Sequence, residues 1–344
     1  MDLEKVVSFL QDFGLVLDAT VNGKCYFRGY GELPCVYVAE QSTDGQRHFL
    51  GGYWMAESSD DLQKAALHPN AVSGIEASSA PGGGQVVRLR DPFGFIVGFV
   101  HGQKLREAGC LEPLSVRSLE ENEVPANDVR LKNRKGVFRR FRHGPAPVHK
   151  LGHSGIMVSK NQLDAAMRWY YGTMNLAPTD YVVDPETQAV ETVFNHINLG
   201  KRYTDHHPSF LISAPGAAKP HVHHSSFEVN DFDTQVLGHH WLQAKGYVNC
   251  WGIGRHVLGS QIFDYWFDPS GNIIEHYSDG DLVNEDSPVT REQAGPNSLY
   301  VWGPNIPLAF ASGKREDTLG HKLISGPAAV NSEAAHYAAT EEKS

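Results

Sequence analysis

The chain has 344 residues, 41% hydrophobic and 20% charged, which is length for one large or two medium domains with a sizeable core. Lys+Arg 30 against Asp+Glu 40 leaves a formal charge of -10, which argues against a nucleic-acid-binding surface. The four cysteines (Cys25, Cys35, Cys110, Cys250) form no CxxC pair, and no apolar run approaches the ~18 residues of a membrane span. A disulfide scaffold, a Cys-rich zinc module and a membrane protein are thereby excluded.

Along the chain, Leu3–Phe13 reads as a helix at the very start, and Asp60–Leu67 as another. Val97–Val100 reads as a strand. Asp128–His149 is basic, with Arg130, Lys132, Arg134, Lys135, Arg139, Arg140 and Arg142, and is expected to be a solvated linker. Ile156–Val158 is the next strand, followed by a helix over Asn161–Tyr171 that carries Leu163, Met167 and Tyr170 on one face and stops at Gly172. Strands are expected at Phe210–Ile212 and Ser226–Val229. A helix over Asp233–Ala244 follows, capped by Asp231 or Asp233. Ile262–Phe267 and Ile273–His276 read as a hairpin around an Asp-Pro-Ser-Gly turn. From about Glu316 the composition turns small and polar, so residues 316–344 are expected to be a disordered tail. The mixture is strand-rich α+β, without a βαβα alternation or a glycine-rich dinucleotide fingerprint.

Repeats within the chain are more informative than single elements. His153-Ser-Gly-Ile-Met-Val and His224-Ser-Ser-Phe-Glu-Val are one strand-then-helix unit written twice, each with a His at its head. Asp91-Pro-Phe-Gly likewise matches Asp268-Pro-Ser-Gly, which sets Glu275 against Gly98. Leu50-Gly51-Gly52-Tyr53 corresponds to His224-Ser225-Ser226-Phe227. The expectation is a duplication with one working copy, because the ionisable residues at these positions fall in the second half only.

Of the 18 histidines, most lie in that second half. His153, His224 and Glu275 make a two-His, one-carboxylate set, which suits divalent iron or manganese and leaves one side of the ion open. The repeat register favours His224 over His223, which is expected on the opposite strand face. A singly deprotonated catechol chelating through both oxygens would neutralise such a site and leave a position for dioxygen. Downstream, Gly254-Arg255-His256 precedes Tyr265, and the hairpin brings Tyr265 close to Glu275. In Asp205-His206-His207-Pro208, a His near a metal-bound substrate could shuttle a proton. The sequence leaves open which of His206 and His207 does so. Glu228 is read as a solvated strand position.

This pattern resembles the two-domain type I extradiol catechol dioxygenases of the vicinal oxygen chelate superfamily, over roughly residues 1–305. The stretch from Gly254-Arg255-His256 through Tyr265 and Asp268-Pro-Ser-Gly to Glu275 looks like that family's signature. The resemblance implies paired βαβββ modules in two similar domains. Residues 1–127 would form a non-catalytic domain, 128–149 the linker, and 150–315 the catalytic domain with the metal site. It implies Fe(II) on His153, His224 and Glu275, with Mn(II) also accepted and no organic cofactor. His207 would be the acid–base His, and His256 and Tyr265 would bind substrate hydroxyl and oxygenated species. The reaction implied is cleavage of a catechol-type ring beside its hydroxyls by O2, to a muconic semialdehyde-type product. A cytoplasmic homo-oligomer is expected, with neither nucleic acid nor membrane as partner. The family usually starts with a strand where this chain has Leu3–Phe13. Two other readings of the same fold are a glyoxalase-like metalloenzyme, which draws ligands from both copies, and a non-enzymatic small-molecule binder.

Overall fold

The computed structural model describes residues 2–107, 127–132, 134–136, 138, 141, 143–214, 219–295 and 298–318. Cys110 and residues 319–344 of the expected tail lie outside them, as do Arg139, Arg140 and Arg142 of the basic stretch. Among the described residues no helix is long and apolar enough to cross a membrane.

The first half runs α1 (Leu3–Asp12), β1 (Val16–Val21), β2 (Lys24–Arg28), β3 (Tyr37–Glu40), β4 (Gly52–Met55), α2 (Ser59–Ala66), β5 (Glu76–Ala77), β6 (Gln85–Arg90) and β7 (Ile96–His101). Asp2 caps α1 by accepting from the Glu4 and Lys5 amides, and Ser58 caps α2 through the Asp61 amide. These strands make a three-stranded sheet, β1-β2-β3, and a four-stranded one, β4-β7-β6-β5.

The second half runs β8 (Val148–Ser159), α3 (Leu163–Thr173), β9 (Leu176–Val183), β10 (Val190–Ile197), β11 (Thr204–Asp205), β12 (Ser209–Ala214) and β13 (His221–Val229). It continues through α4 (Phe232–Ala244), β14 (Val248–Arg255), β15 (Ile262–Phe267), β16 (Ile273–Ser278), β17 (Leu282–Val283), β18 (Thr290–Gln293) and α5 (Leu308–Ser312). Strand β8 starts at Val148, inside the segment read as linker, and Ala146 and Val148 are fully buried. Nine strands form one sheet in the order β14-β15-β16-β13-β8-β12-β10-β9-β18. Its two β-α-β-β-β modules, β8 to β12 and β13 to β16, meet where β8 and β13 pair antiparallel, so the central strands of the sheet are the heads of the two modules.

In the first half no such meeting occurs. Among the described residues no strand precedes α1, and β3 and β4 lie in different sheets. A cavity of about 580 Å³ lies between them, lined by Tyr37, Ala39, Gly52 and Trp54 and closed from the other side by Ser154 and Ser225 of β8 and β13.

Packing explains the division of labour between sheet faces. Phe9 and Leu10 of α1 and Phe13 just after it bury against Phe227, Trp266 and Ile274, so one face of the nine-stranded sheet rests on the first half. Leu163, Ala166 and Tyr170 of α3, spaced as one helical stripe, bury against Val97, Ile156 and Leu211. Trp251, Phe263, Tyr265, Ile306 and Phe310 form a third cluster. The Asp-Pro turns do the same job in both halves. Asp91 accepts from the Phe93 and Phe95 amides, and Asp268 from the Asn272 amide.

Candidate metal centre

Three neighbouring strands set out the site in a single row. Ser226 on β13 lies opposite His153 on β8 and opposite Glu275 on β16. His224 stands two residues before Ser226, hence on the same sheet face. The small, fully buried Ser226 leaves room between the three larger side chains. His153 Nε2 lies 3.2 Å from His224 Nε2 and 3.2 Å from Glu275 Oε2, and His224 Nε2 lies 3.7 Å from that oxygen. Three ligands about 2.1 Å from one cation stand roughly 3.0–3.4 Å apart; the two separations from His153 fall in that range, and the His224–Glu275 separation of 3.7 Å is slightly wider.

The chemistry of the donors fits as well. Glu275 is fully buried and neither carboxylate oxygen has a hydrogen-bond partner. A buried carboxylate beside two imidazoles and a phenol, with no hydrogen bond to either oxygen, is costly unless a cation joins it. Burial, then the neighbouring His223 and His153, hold His224 well below the ordinary His value, in the neutral form that ligates. His223 Nδ1 lies 2.7 Å from His224 Nδ1, the contact that orients a ligating imidazole from behind.

The histidine expected on the opposite face thus supports the ligand directly. The cause is a register shift between Val222 and His224, which breaks the strict alternation of side chains along β13. A second register differs by one residue. Gly98 pairs with Tyr53 as Glu275 pairs with Ser226, which makes Gly51, and not Leu50, the counterpart of His224. Gly51 has φ +118°, and a Cβ there would meet the Ile96 carbonyl oxygen at 2.3 Å, so a ligating side chain has no place at this position.

Beside His153, His224 and Glu275 the His207 ring lies 4.2 Å from that of His153, centroid to centroid, while the His206 ring turns to Asp180. Burial, then the surrounding histidines, hold His207 well below its ordinary value. Tyr265 pairs directly with Glu275 across the hairpin. His256 Nδ1 donates to the Leu299 carbonyl at 2.6 Å, so its Nε2 accepts from the Tyr265 hydroxyl at 2.9 Å. Burial and then the Glu275 carboxylate hold the Tyr265 phenol well above the ordinary range. Trp251 stacks parallel to Tyr265 at 5.7 Å, and Phe310 lies 4.6 Å from it.

Arg255, in contrast, serves the loop. Its guanidinium donates to the Ser260 carbonyl and to Asp279. Asp231 is the cap of α4 and accepts from the Thr234 amide, while Glu228 is half-buried beside Lys150. Asp180, Thr290, Gln235, Leu299 and Phe310 were not singled out by sequence reasoning. For Asp180 a signal existed, an acidic residue in an apolar strand. Leu299 acts through its backbone and leaves no signal at all.

Residues 150–276 match the family model of the Glyoxalase/Bleomycin resistance protein/Dioxygenase superfamily. Metapyrocatechase 2 of Cupriavidus necator is 34% identical over 158 residues, 46% of this chain and 46% of that protein, so the match spans about half the length of this curated relative. Two solved structures share the fold at 17% identity and TM-score 0.69. One is the Mn(II)-bound glyoxalase from Novosphingobium aromaticivorans, covering 97% of this chain and 95% of its own. The other is homoprotocatechuate 2,3-dioxygenase from Brevibacterium fuscum, covering 91% and 88%. The βαβββ modules, the convergent His153, His224 and Glu275 and the match to the superfamily model all fall on the same stretch, residues 150–276.

Proposed function

We propose that this chain is an extradiol dioxygenase that opens a catechol-type ring beside its hydroxyls with O2, giving a muconic semialdehyde-type product. In this reading residues 150–315 are the catalytic domain, and His153, His224 and Glu275 hold one Fe(II), a set that also accepts Mn(II). One observation carries it: the three ligands converge from one side, while His207 and the His256–Tyr265 pair gather beside them. The similarity to metapyrocatechase 2 over 158 residues supports the same reading.

A bound ferrous ion would supply Lewis acidity and a path for electrons between substrate and dioxygen. The side chains then have separate tasks. His207, kept neutral by burial, takes the proton a catechol gives up on chelation. His256 Nε2 holds the Tyr265 hydroxyl proton, which turns the lone pairs of that oxygen toward a donor on the substrate. Trp251, Phe263 and Phe310 wall this region with apolar rings and limit water near the ligands.

The similarity to the Mn(II)-bound glyoxalase makes a glyoxalase-type isomerase the second reading. Gly51 and Gly98 at the first-half counterpart positions weigh against ligands drawn from both copies. The deciding experiment loads the protein anaerobically with ferrous iron, then admits air with a panel of catechols. A yellow ring-fission product with matching O2 uptake is expected. Isomerisation of a thiol–2-oxoaldehyde adduct without O2 uptake on any catechol would replace this proposal by the second reading. The homo-oligomeric state and cytoplasmic location expected from the sequence belong to the same proposal, and light scattering on the eluting protein tests the first.

A further inference from the structure

Behind His207 lies a buried chain of polar groups. His207 Nδ1 stands 2.8 Å from His206 Nδ1, and His206 Nε2 stands 2.6 Å from Asp180 Oδ2. The other Asp180 oxygen accepts from the Thr290 hydroxyl, on the strand that pairs with β9 at this residue. Asp180, His206 and His207 are all buried.

We infer that Asp180 and His206 are positioning residues that hold His207 in one tautomer, with its Nδ1–H donated to His206 and its Nε2 left as the lone-pair atom that meets the substrate proton. The inference rests on the acid–base reading of His207 given above.

An ionised carboxylate can only accept, so His206 must donate from Nε2. Burial pushes the Asp180 carboxyl up, but hydrogen bonds from His206 and Thr290 outweigh it and hold the group below its ordinary value, hence ionised. A neutral His206 that donates at Nε2 has a bare Nδ1, which can only accept. The 2.8 Å contact is then satisfied when His207 donates from Nδ1, and its Nε2 is left unprotonated.

His206 is gripped from several sides, as a positioning group must be. Its carbonyl accepts from the Thr179 hydroxyl at 2.8 Å, and its amide donates to the Asp281 carbonyl. Gly259, at φ +78°, lets a loop approach so closely that a Cβ there would lie 2.8 Å from His206 Nδ1. Phe194 packs edge-on against His207 at 4.7 Å and limits its rotation. A buried carboxylate is a poor choice if the site needed only packing, since an apolar residue of similar volume would serve.

The other arrangement would be a doubly protonated His206 in an ion pair with Asp180. His207 Nδ1 would then accept, and Nε2 would carry the proton, unable to take one from substrate. Side-chain 15N–1H correlation spectra of the metal-free, 15N-histidine-labelled protein at neutral pH distinguish the two, with signals assigned through His207→Gln. The expected spectrum has His207 protonated at Nδ1 only and His206 at Nε2 only. In Asp180→Leu the His207 signal should become a mixture of tautomers, while Asp180→Asn, which keeps an acceptor oxygen, should restore the single form. With iron bound, Asp180→Leu should lose about 10–100-fold in kcat, with KM for catechol within about twofold and metal content unchanged. A wild-type His207 protonated at Nε2 would overturn the inference, as would a His207 signal unmoved by Asp180→Leu. If no catechol were cleaved by the iron-loaded wild type, the functional proposal would fail, while the spectra would still decide the tautomer.

Discussion

At the scale of single residues, the His256–Tyr265 pair shows how one backbone contact sets a chemical role. Because His256 Nδ1 is committed to the Leu299 carbonyl, its Nε2 is an acceptor, and the Tyr265 proton points at it. Replacing His256 by Phe keeps a ring against Phe263, now 4.3 Å away, but removes that acceptor. The expected outcome is a fall of roughly 100-fold in kcat with full metal content, read by steady-state O2 uptake and elemental analysis. Unchanged turnover would remove His256 from the reaction. Much of this residue-level chemistry was legible beforehand. A His at the head of each repeated strand and a Glu in place of Gly98 singled out, by pattern alone, the three residues that the fold brings together. The pattern alone left His206 and His207 open and only the family resemblance favoured His207, because the partner that turns the His206 ring, Asp180, lies 26 residues earlier on another strand.

At the scale of elements, the site depends on strands held in register by a buried polar tie. Gln235 of α4 donates through Nε2 to the carbonyls of Ile262 and His276, and its Oε1 accepts from Ser278. This clamps the ends of β15 and β16, the hairpin that carries Tyr265 and Glu275. In Gln235→Leu two carbonyls and one hydroxyl lose their partner away from water. Each such loss costs about 1–3 kcal/mol, so the variant should be destabilised by at least roughly 2 kcal/mol in urea unfolding. A change below about 0.5 kcal/mol would show that the clamp is not needed. The strands and helices themselves follow from the sequence, because Asp2, Ser58 and Asp231 are good caps and Ile262–Phe267 is apolar at every position but Asp264. Strand β18, by contrast, is Thr-Arg-Glu-Gln and exposed along its length, with nothing in its composition to mark it. It exists because β9 offers it an edge. Gly51 and His223 were misplaced for a related reason, since a bulge or a one-residue offset leaves no mark on the pattern of residue types.

At the scale of the whole molecule, the first half is a support on which the nine-stranded sheet rests. His276, next to Glu275 but on the opposite face, donates from Nε2 to the Phe13 carbonyl at 2.7 Å and stacks on the Phe13 ring. Burial lowers His276 from the ordinary 6.5 to about 3, and burial with the nearby His221 lowers His223 to about 4. Below pH 6.5 the unfolded chain therefore binds protons that the folded one refuses, so stability falls as pH falls. These two histidines together should remove roughly 3 kcal/mol from the metal-free protein between pH 7.5 and 5.5. Denaturant midpoints across that range measure it, and a midpoint that stays level would contradict the burial of these rings.

The account as a whole turns on one divalent cation shared by His153, His224 and Glu275. Anaerobic loading with ferrous iron, followed by desalting and elemental analysis, measures it directly. One ion per chain is expected in the wild type and none in Glu275→Ala, even though that variant remains folded by circular dichroism. Retention of a full equivalent of iron by Glu275→Ala would contradict the account.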